Sequence, residues 1–123
     1  MRVFARVPGS VRAVREFVVS VIGDRPAAED AALLASELAT NAVRYGEGQI
    51  EVSVQEMDDV IRVEVHDDSR ELPVLRFPGE RGSAGRGLQI VATLALGWGA
   101  ETRGAGKAVW FTLPSGTVHR QSA

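Results

Sequence analysis

Glu37 and Asn41 lie one helical turn apart in AEDAALLASELATNAVRYG, a stretch whose apolar spacing predicts a long amphipathic helix. At about 100° per residue, Ala31, Leu34, Leu38 and Tyr45 share one apolar arc. Asn41 falls about 20° from Leu34, inside that arc, and Glu37 falls at its edge. A carboxylate and an amide beside a core are costly unless something satisfies them. A metal-bound phosphate in an adjoining cleft would do so. An amide oxygen suits Mg²⁺, which keeps waters and substrate phosphates in its shell. A glutamate within hydrogen-bond range can accept a proton from an attacking hydroxyl or water. The plainer alternative is an Asn bonded to backbone and a Glu solvated at the edge of the face.

Three further positions bear on the same chemistry. Period-2 counting carries the inward face Ile61, Val63, Val65 onto Asp67, at the end of a strand. Asp67 either caps the next turn or accepts a hydrogen bond from a ligand's amino group. Gly85-Arg86-Gly87-Leu88 precedes a helix, where backbone N–H groups and the helix dipole favour a phosphate; an ordinary hinge has the same composition. Lys107 starts a strand and either reaches a phosphate or is solvated there. Gly106–Lys107 is not a P-loop, because Ala108 replaces Ser/Thr and a strand follows. His66 falls on a solvent face and His119 in the tail, and neither has an evident chemical partner. Trp98 and Trp110 read as packing residues, and Arg12 and Arg15 as surface charges.

The elements that must position these residues follow from periodicity and punctuation. Val3 to Val7 predicts a short strand ended by Pro8 and Gly9. Ser10 caps a helix running to about Ile22, stopped by Gly23 and Asp24. Pro26 opens the second helix and Gly46 closes it. Ile50, Val52 and Val54 alternate with polar residues, and Met57–Asp58–Asp59 turns into the Ile61–Val65 strand. Asp68 to Ala84 reads as a long mobile loop. A third helix begins after Gly87, with Leu88, Val91, Ala92 and Ala95 on its apolar side. Strands around 97–103 and 107–113 complete one domain over residues 1–114, and 115–123 reads as a flexible tail. The expected fold is an α+β two-layer sandwich, a mixed, mostly antiparallel sheet with three helices on one face.

Composition narrows the function. The 45% hydrophobic and 24% charged residues are those of a globular chain. A net charge of -2 gives no general attraction to nucleic acid or anionic membranes. With no cysteine there is no disulfide, thiolate metal site or cysteine nucleophile. The apolar runs are too short to span a bilayer, and MRVFARVPGS lacks a signal peptide's apolar segment, so a cytoplasmic location is expected.

In order, Glu37-x-x-x-Asn41 on a helix, Asp67-x-Ser69 after a strand and Gly85-x-Gly87 before a helix resemble the Bergerat (GHKL) ATP-binding fold of gyrase and the histidine kinases. The chain most resembles its small single-domain branch, the anti-sigma-factor serine kinases of the RsbW and SpoIIAB type. Two departures stand out. The family's Asp-x-Gly-x-Gly box reads Asp67-Asp68-Ser69-Arg70-Glu71 here, and Lys107 stands where a Thr often helps to fix the adenine. Both bear on the adenine end of a site and leave the phosphate end intact.

The resemblance implies an ATP/Mg²⁺-dependent serine/threonine kinase. It would hold a sigma factor and phosphorylate a small STAS-type anti-anti-sigma protein; a homodimer is compatible with it. Asn41 would coordinate Mg²⁺, Glu37 would act as general base, and Asp67 would accept from the adenine amino group. Ser69, Gly85, Arg86, Gly87, Leu88 and Lys107 would complete the ATP site, with 68–84 as its lid. A non-catalytic regulator that binds ATP or sequesters a partner is the alternative. A histidine kinase is disfavoured because no phospho-accepting His stands on a helix, and a gyrase-like ATPase would need a further domain.

Overall fold

Helix α1, Ser10–Ile22, buries Val14, Val18 and Ile22 at the helical period and ends at Gly23, whose φ of 78° favours glycine. Pro26 leads into α2, Ala27–Tyr45, as its fixed φ suits a helix start. The structure, a computed structural model, describes residues 1–73 and 84–116, with side chains from residue 88 onward in the second segment. The strands are β1 (Arg2–Phe4), β2 (Ile50–Met57), β3 (Val60–Asp67), β4 (Gly97–Arg103) and β5 (Gly106–Pro114), and α3 (Ala84–Leu94) precedes β4. They form one sheet in the order β1-β2-β3-β5-β4. Every ladder is antiparallel, so no parallel pair is present among the described residues and the expected mixed sheet is corrected to an antiparallel one. β5 folds back from β4 and inserts between it and β3, which removes the need for a parallel neighbour.

The α+β sandwich is as expected. Of the eight residues α2 buries, six are alanine, and Leu34 and Leu38 are the large ones. Small residues let α2 lie close to α1, α3 and the middle of the sheet at once. Phe111, Ile50, Ile61, Val52, Val63 and Val65 meet it from the strands. Each such large side chain contributes roughly 1.5–3 kcal/mol when fully buried. Polar residues within α2 satisfy themselves: Ser36 Oγ donates to the carbonyl of Ala32 and Thr40 Oγ1 to that of Ser36, both at 2.8 Å.

Several boundaries differ from the sequence expectation. β1 ends at Phe4, short of Val7, because Arg6 turns back to donate to the carbonyls of Val43 and Gly48. Ser10 is the first residue of α1, and its own N–H donates to the carbonyl of Val7. The β2–β3 turn is the pair Asp58–Asp59, with φ of 53° and 65°, a two-residue hairpin of the kind that matches strand twist. α3 starts at Ala84, so Gly85, Arg86 and Gly87 form its first turn; packing of Leu88 and Val91 outweighs the low helix propensity of glycine. Ala92 is exposed. Pro114 pairs with Val60, and Ser115 is fully buried and donates to the carbonyl of Asp59, so the chain stays anchored past Pro114. Residues 74–83 of the expected lid, and 117–123 with His119, lie outside the described residues.

The sheet's outer face carries a charged cluster. Glu64 accepts from Arg103 at 2.7 Å and from Arg62 at 2.7 Å, and the Arg62 guanidinium lies 4.2 Å from the Trp110 ring centre. Burial acts to raise the Glu64 carboxyl, and the two arginines outweigh it and hold it below the ordinary carboxylate value. His66 is half-buried on this face, and Trp110 packs over Gly99.

Candidate functional site

Alternation along β3 turns Ile61, Val63, Val65 and Asp67 toward the helices, and all four are buried. The β3–β5 register sets Asp67 directly opposite Lys107. Their side chains are 1% and 6% exposed and form an ion pair, with Lys107 Nζ 2.8 Å from Oδ2 and 3.0 Å from Oδ1. Oδ1 also accepts the Ser69 N–H at 2.8 Å and the Glu47 N–H at 3.4 Å. Burying either charge alone costs several kcal/mol, and the pairing together with the backbone donors offsets that penalty. Asp67 therefore does cap the following turn. It also lines a cavity.

That cavity, of about 180 Å³, lies between α2, the β3–β5 ladder and Leu88 of α3, with residues 71–73 along its side. Leu38, Ala42, Val65, Leu88 and Val109 give it apolar walls, and Asn41, Asp67, Glu71 and Lys107 supply its polar groups. Such a shape suits a flat, mostly apolar ring held by a few polar contacts. Asn41 is half-buried, and among the described residues its amide has no side-chain hydrogen-bond partner. A half-buried amide on a cavity wall, with no side-chain partner among the described residues, is placed to contact a ligand or a metal. Glu37, one turn earlier, is half-buried and lies outside the cavity lining.

The other expected residues fall into two groups. Leu88 is 1% exposed and lines the cavity, which places the first turn of α3, Gly85 to Gly87, next to it in sequence. The N–H groups of that turn have no intrahelical acceptor, as at any helix start. Ser69 is buried beside Asp67 and outside the lining, and its Oγ accepts the Glu71 N–H at 3.1 Å. Ser69 does not have a positive φ, so the glycine expected there is not required by the backbone. Lys107 is neither solvated nor directed at a phosphate by these contacts; the cross-strand register takes its ammonium to Asp67.

Two glycines of the site were missed. A Cβ on Gly46 would lie 2.7 Å from Asp67 Cγ, and one on Gly106 would lie 2.1 Å from the Asp67 carbonyl oxygen. Both are needed for space. Their placement next to a helix end and to Lys107 was visible in the sequence, but its meaning depends on the fold. Tyr45, expected in the apolar arc, is 52% exposed and borders the cavity.

The donor set fits a magnesium nucleotide. Among the described residues no group of three His, Cys, Asp or Glu side chains is placed to hold a metal. Mg²⁺ carried by phosphates and waters needs few protein oxygens, and Asn41 offers one.

Residues 4–113 match the family described as the histidine kinase-like ATPase domain. The chain belongs to that family. ATP binding is the property this membership implies. Solved structures show the same fold. The catalytic domain of histidine kinase ThkA is 17% identical, with a TM-score of 0.56 over 93% of this chain and 96% of that one. The histidine kinase domain of the Erythrobacter litoralis EL346 blue-light activated histidine kinase is 22% identical, with a TM-score of 0.55 over 87% of this chain and 60% of that one. Acinetobacter baumannii histidine kinase AdeS is 14% identical, with a TM-score of 0.55 over 94% and 68%. The chain spans 60% and 43% of the two Erythrobacter structures it matches. No curated protein matches it. No helix among the described residues is long and apolar enough to cross a membrane.

Proposed function

We propose that this chain is an ATP- and Mg²⁺-dependent serine/threonine protein kinase that acts as an anti-sigma factor. It would sequester a sigma factor and phosphorylate a small STAS-type anti-anti-sigma protein. The observation that supports the nucleotide half is the placing of a half-buried Asn41 amide and a buried Asp67 carboxylate on the wall of one cavity. The partner half rests on the likeness of the chain to the single-domain anti-sigma kinases. When bound, Mg²⁺ supplies charge neutralisation on the phosphates, as in other phosphoryl transfers. Asn41 would offer its amide oxygen to that metal. Glu37, at i−4 on the same helix, orients or deprotonates the incoming hydroxyl. Asp67 binds the base.

Incubation with labelled ATP and a serine-bearing anti-anti-sigma protein tests the reading, with phosphoserine on the partner as the expected product. Partner binding without transfer would overturn the kinase assignment. It would favour a second reading, a non-catalytic nucleotide-binding module that acts by sequestration. One observation supports that reading: Glu37, the candidate general base, lies outside the cavity lining.

A further inference from the structure

The polar end of the cavity holds an acceptor and a cationic donor side by side. Asp67 Oδ2 has Lys107 as its partner among the described residues, 2.8 Å away, while Oδ1 is shared with the Ser69 and Glu47 N–H groups. Oδ2 thus keeps accepting capacity. A lysine ammonium has three N–H donors, and the two Asp67 oxygens account for two of them. Both residues line the cavity.

A carboxylate alone suits adenine, whose position 6 carries an amino donor, and repels a base whose position 6 is a carbonyl. An ammonium fixed beside it reverses that repulsion. For adenine, Asp67 accepts from the 6-amino group and Lys107 donates to the adjacent ring nitrogen. For a 6-oxopurine, Lys107 donates to the carbonyl and Asp67 accepts from the adjacent ring N–H. Each arrangement satisfies both members of the pair, and neither leaves a buried charge facing a like-signed atom.

We infer that Lys107 is a specificity-determining residue that lets this site take 6-oxopurine nucleotides, guanine and hypoxanthine, as well as adenine. The inference rests on the nucleotide-binding reading above and goes further by naming the base class. Glu71, also on the cavity wall, follows on the segment leaving Asp67: the Ser69 N–H donates to Asp67 Oδ1, and the Glu71 N–H donates to Ser69 Oγ rather than to the pair.

Calorimetric titration of the whole chain with Mg·ATP, Mg·GTP and Mg·ITP tests it. The expected result is that GTP and ITP bind within about tenfold of ATP, since one donor–acceptor pair discriminates bases by roughly that factor or more. Binding of ATP with GTP and ITP more than tenfold weaker would overturn the inference and leave the ATP reading standing. Binding of none of the three would overturn both. Lys107→Thr, which restores a small hydroxyl, is expected to lower the GTP-to-ATP affinity ratio about tenfold or more; an unchanged ratio overturns the assignment to Lys107. The wild-type titrations decide the matter if that variant does not fold.

Discussion

Lys107 and Asp67, forty residues apart in sequence, form an ion pair 2.8 Å long whose two side chains are 6% and 1% exposed. The two partners are not equally dependent on it. Asp67 retains the Ser69 and Glu47 N–H donors if Lys107 is removed, whereas Lys107 has Asp67 as its acceptor among the described residues. Asp67→Asn is therefore expected to cost about 3–5 kcal/mol, the usual result of stranding a buried charge. Lys107→Met is expected to cost less, and the double variant to regain most of the loss. Urea denaturation of the four proteins measures this; equal costs for the two single variants would sink the argument.

Asn41→Ala is expected to abolish Mg·ATP binding by calorimetry while leaving the thermal midpoint nearly unchanged, because the half-buried amide makes no structural side-chain hydrogen bond among the described residues. Glu37→Gln is expected to keep binding and to lower phosphotransfer by about 10²–10⁴-fold, the range for a lost general base. Wild-type Mg·ATP affinity in Asn41→Ala would remove the metal assignment. Trp98 and Trp110 do not line the cavity, so heat rather than intrinsic fluorescence is the suitable signal.

Features of short range were legible in the sequence and features of register were not. The helical period gave α2, the Gly23 stop ended α1 and strand parity placed Asp67 inward, each decided by neighbours a few residues away. The Asp67–Lys107 pair depends on β5 inserting between β3 and β4, which no local pattern encodes. The same register gives Gly106 its close approach to Asp67. The first turn of α3 was misplaced because glycine's low helix propensity was weighed without the packing of Leu88 and Val91 that overrides it. Asn41's place on the cavity wall was readable from the helical wheel; the distance of Glu37 from the lining was not.

Gly46 and Gly106 can be separated by what an added methyl would meet. At Gly106 it would meet backbone, the Asp67 carbonyl oxygen at 2.1 Å, which cannot swing aside. At Gly46 the side-chain contacts are with the Asp67 carboxyl group, at 2.7 and 2.8 Å, together with the Ala42 carbonyl oxygen at 2.5 Å. Each alanine variant is expected to lose about 1–3 kcal/mol from overpacking, Gly106→Ala the more. Gly46→Ala should also weaken nucleotide binding by displacing the carboxylate. Gly9→Ala, with nothing within 4 Å, is the control and should stay within about 0.5 kcal/mol of wild type in thermal unfolding.

Glu64 predicts an acid limb of stability unrelated to the cavity. Burial raises its carboxyl, but hydrogen bonds from Arg103 and Arg62 outweigh that and hold it below the ordinary value of 4.5. A carboxyl whose folded value is depressed contributes stability that is fully present above its unfolded value and is lost as pH falls through the folded one. The contribution is on the order of 1 kcal/mol, because Arg103 is largely open to solvent and exposed pairs are screened. Glu64→Gln is expected to be less stable than wild type by that amount from pH 5 to 7, with the two urea midpoints converging as pH falls below the ordinary carboxylate value and through the depressed folded one. Added salt should narrow the gap at neutral pH. A gap that persisted unchanged into acid would show that the cluster acts by packing against Trp110 rather than by charge.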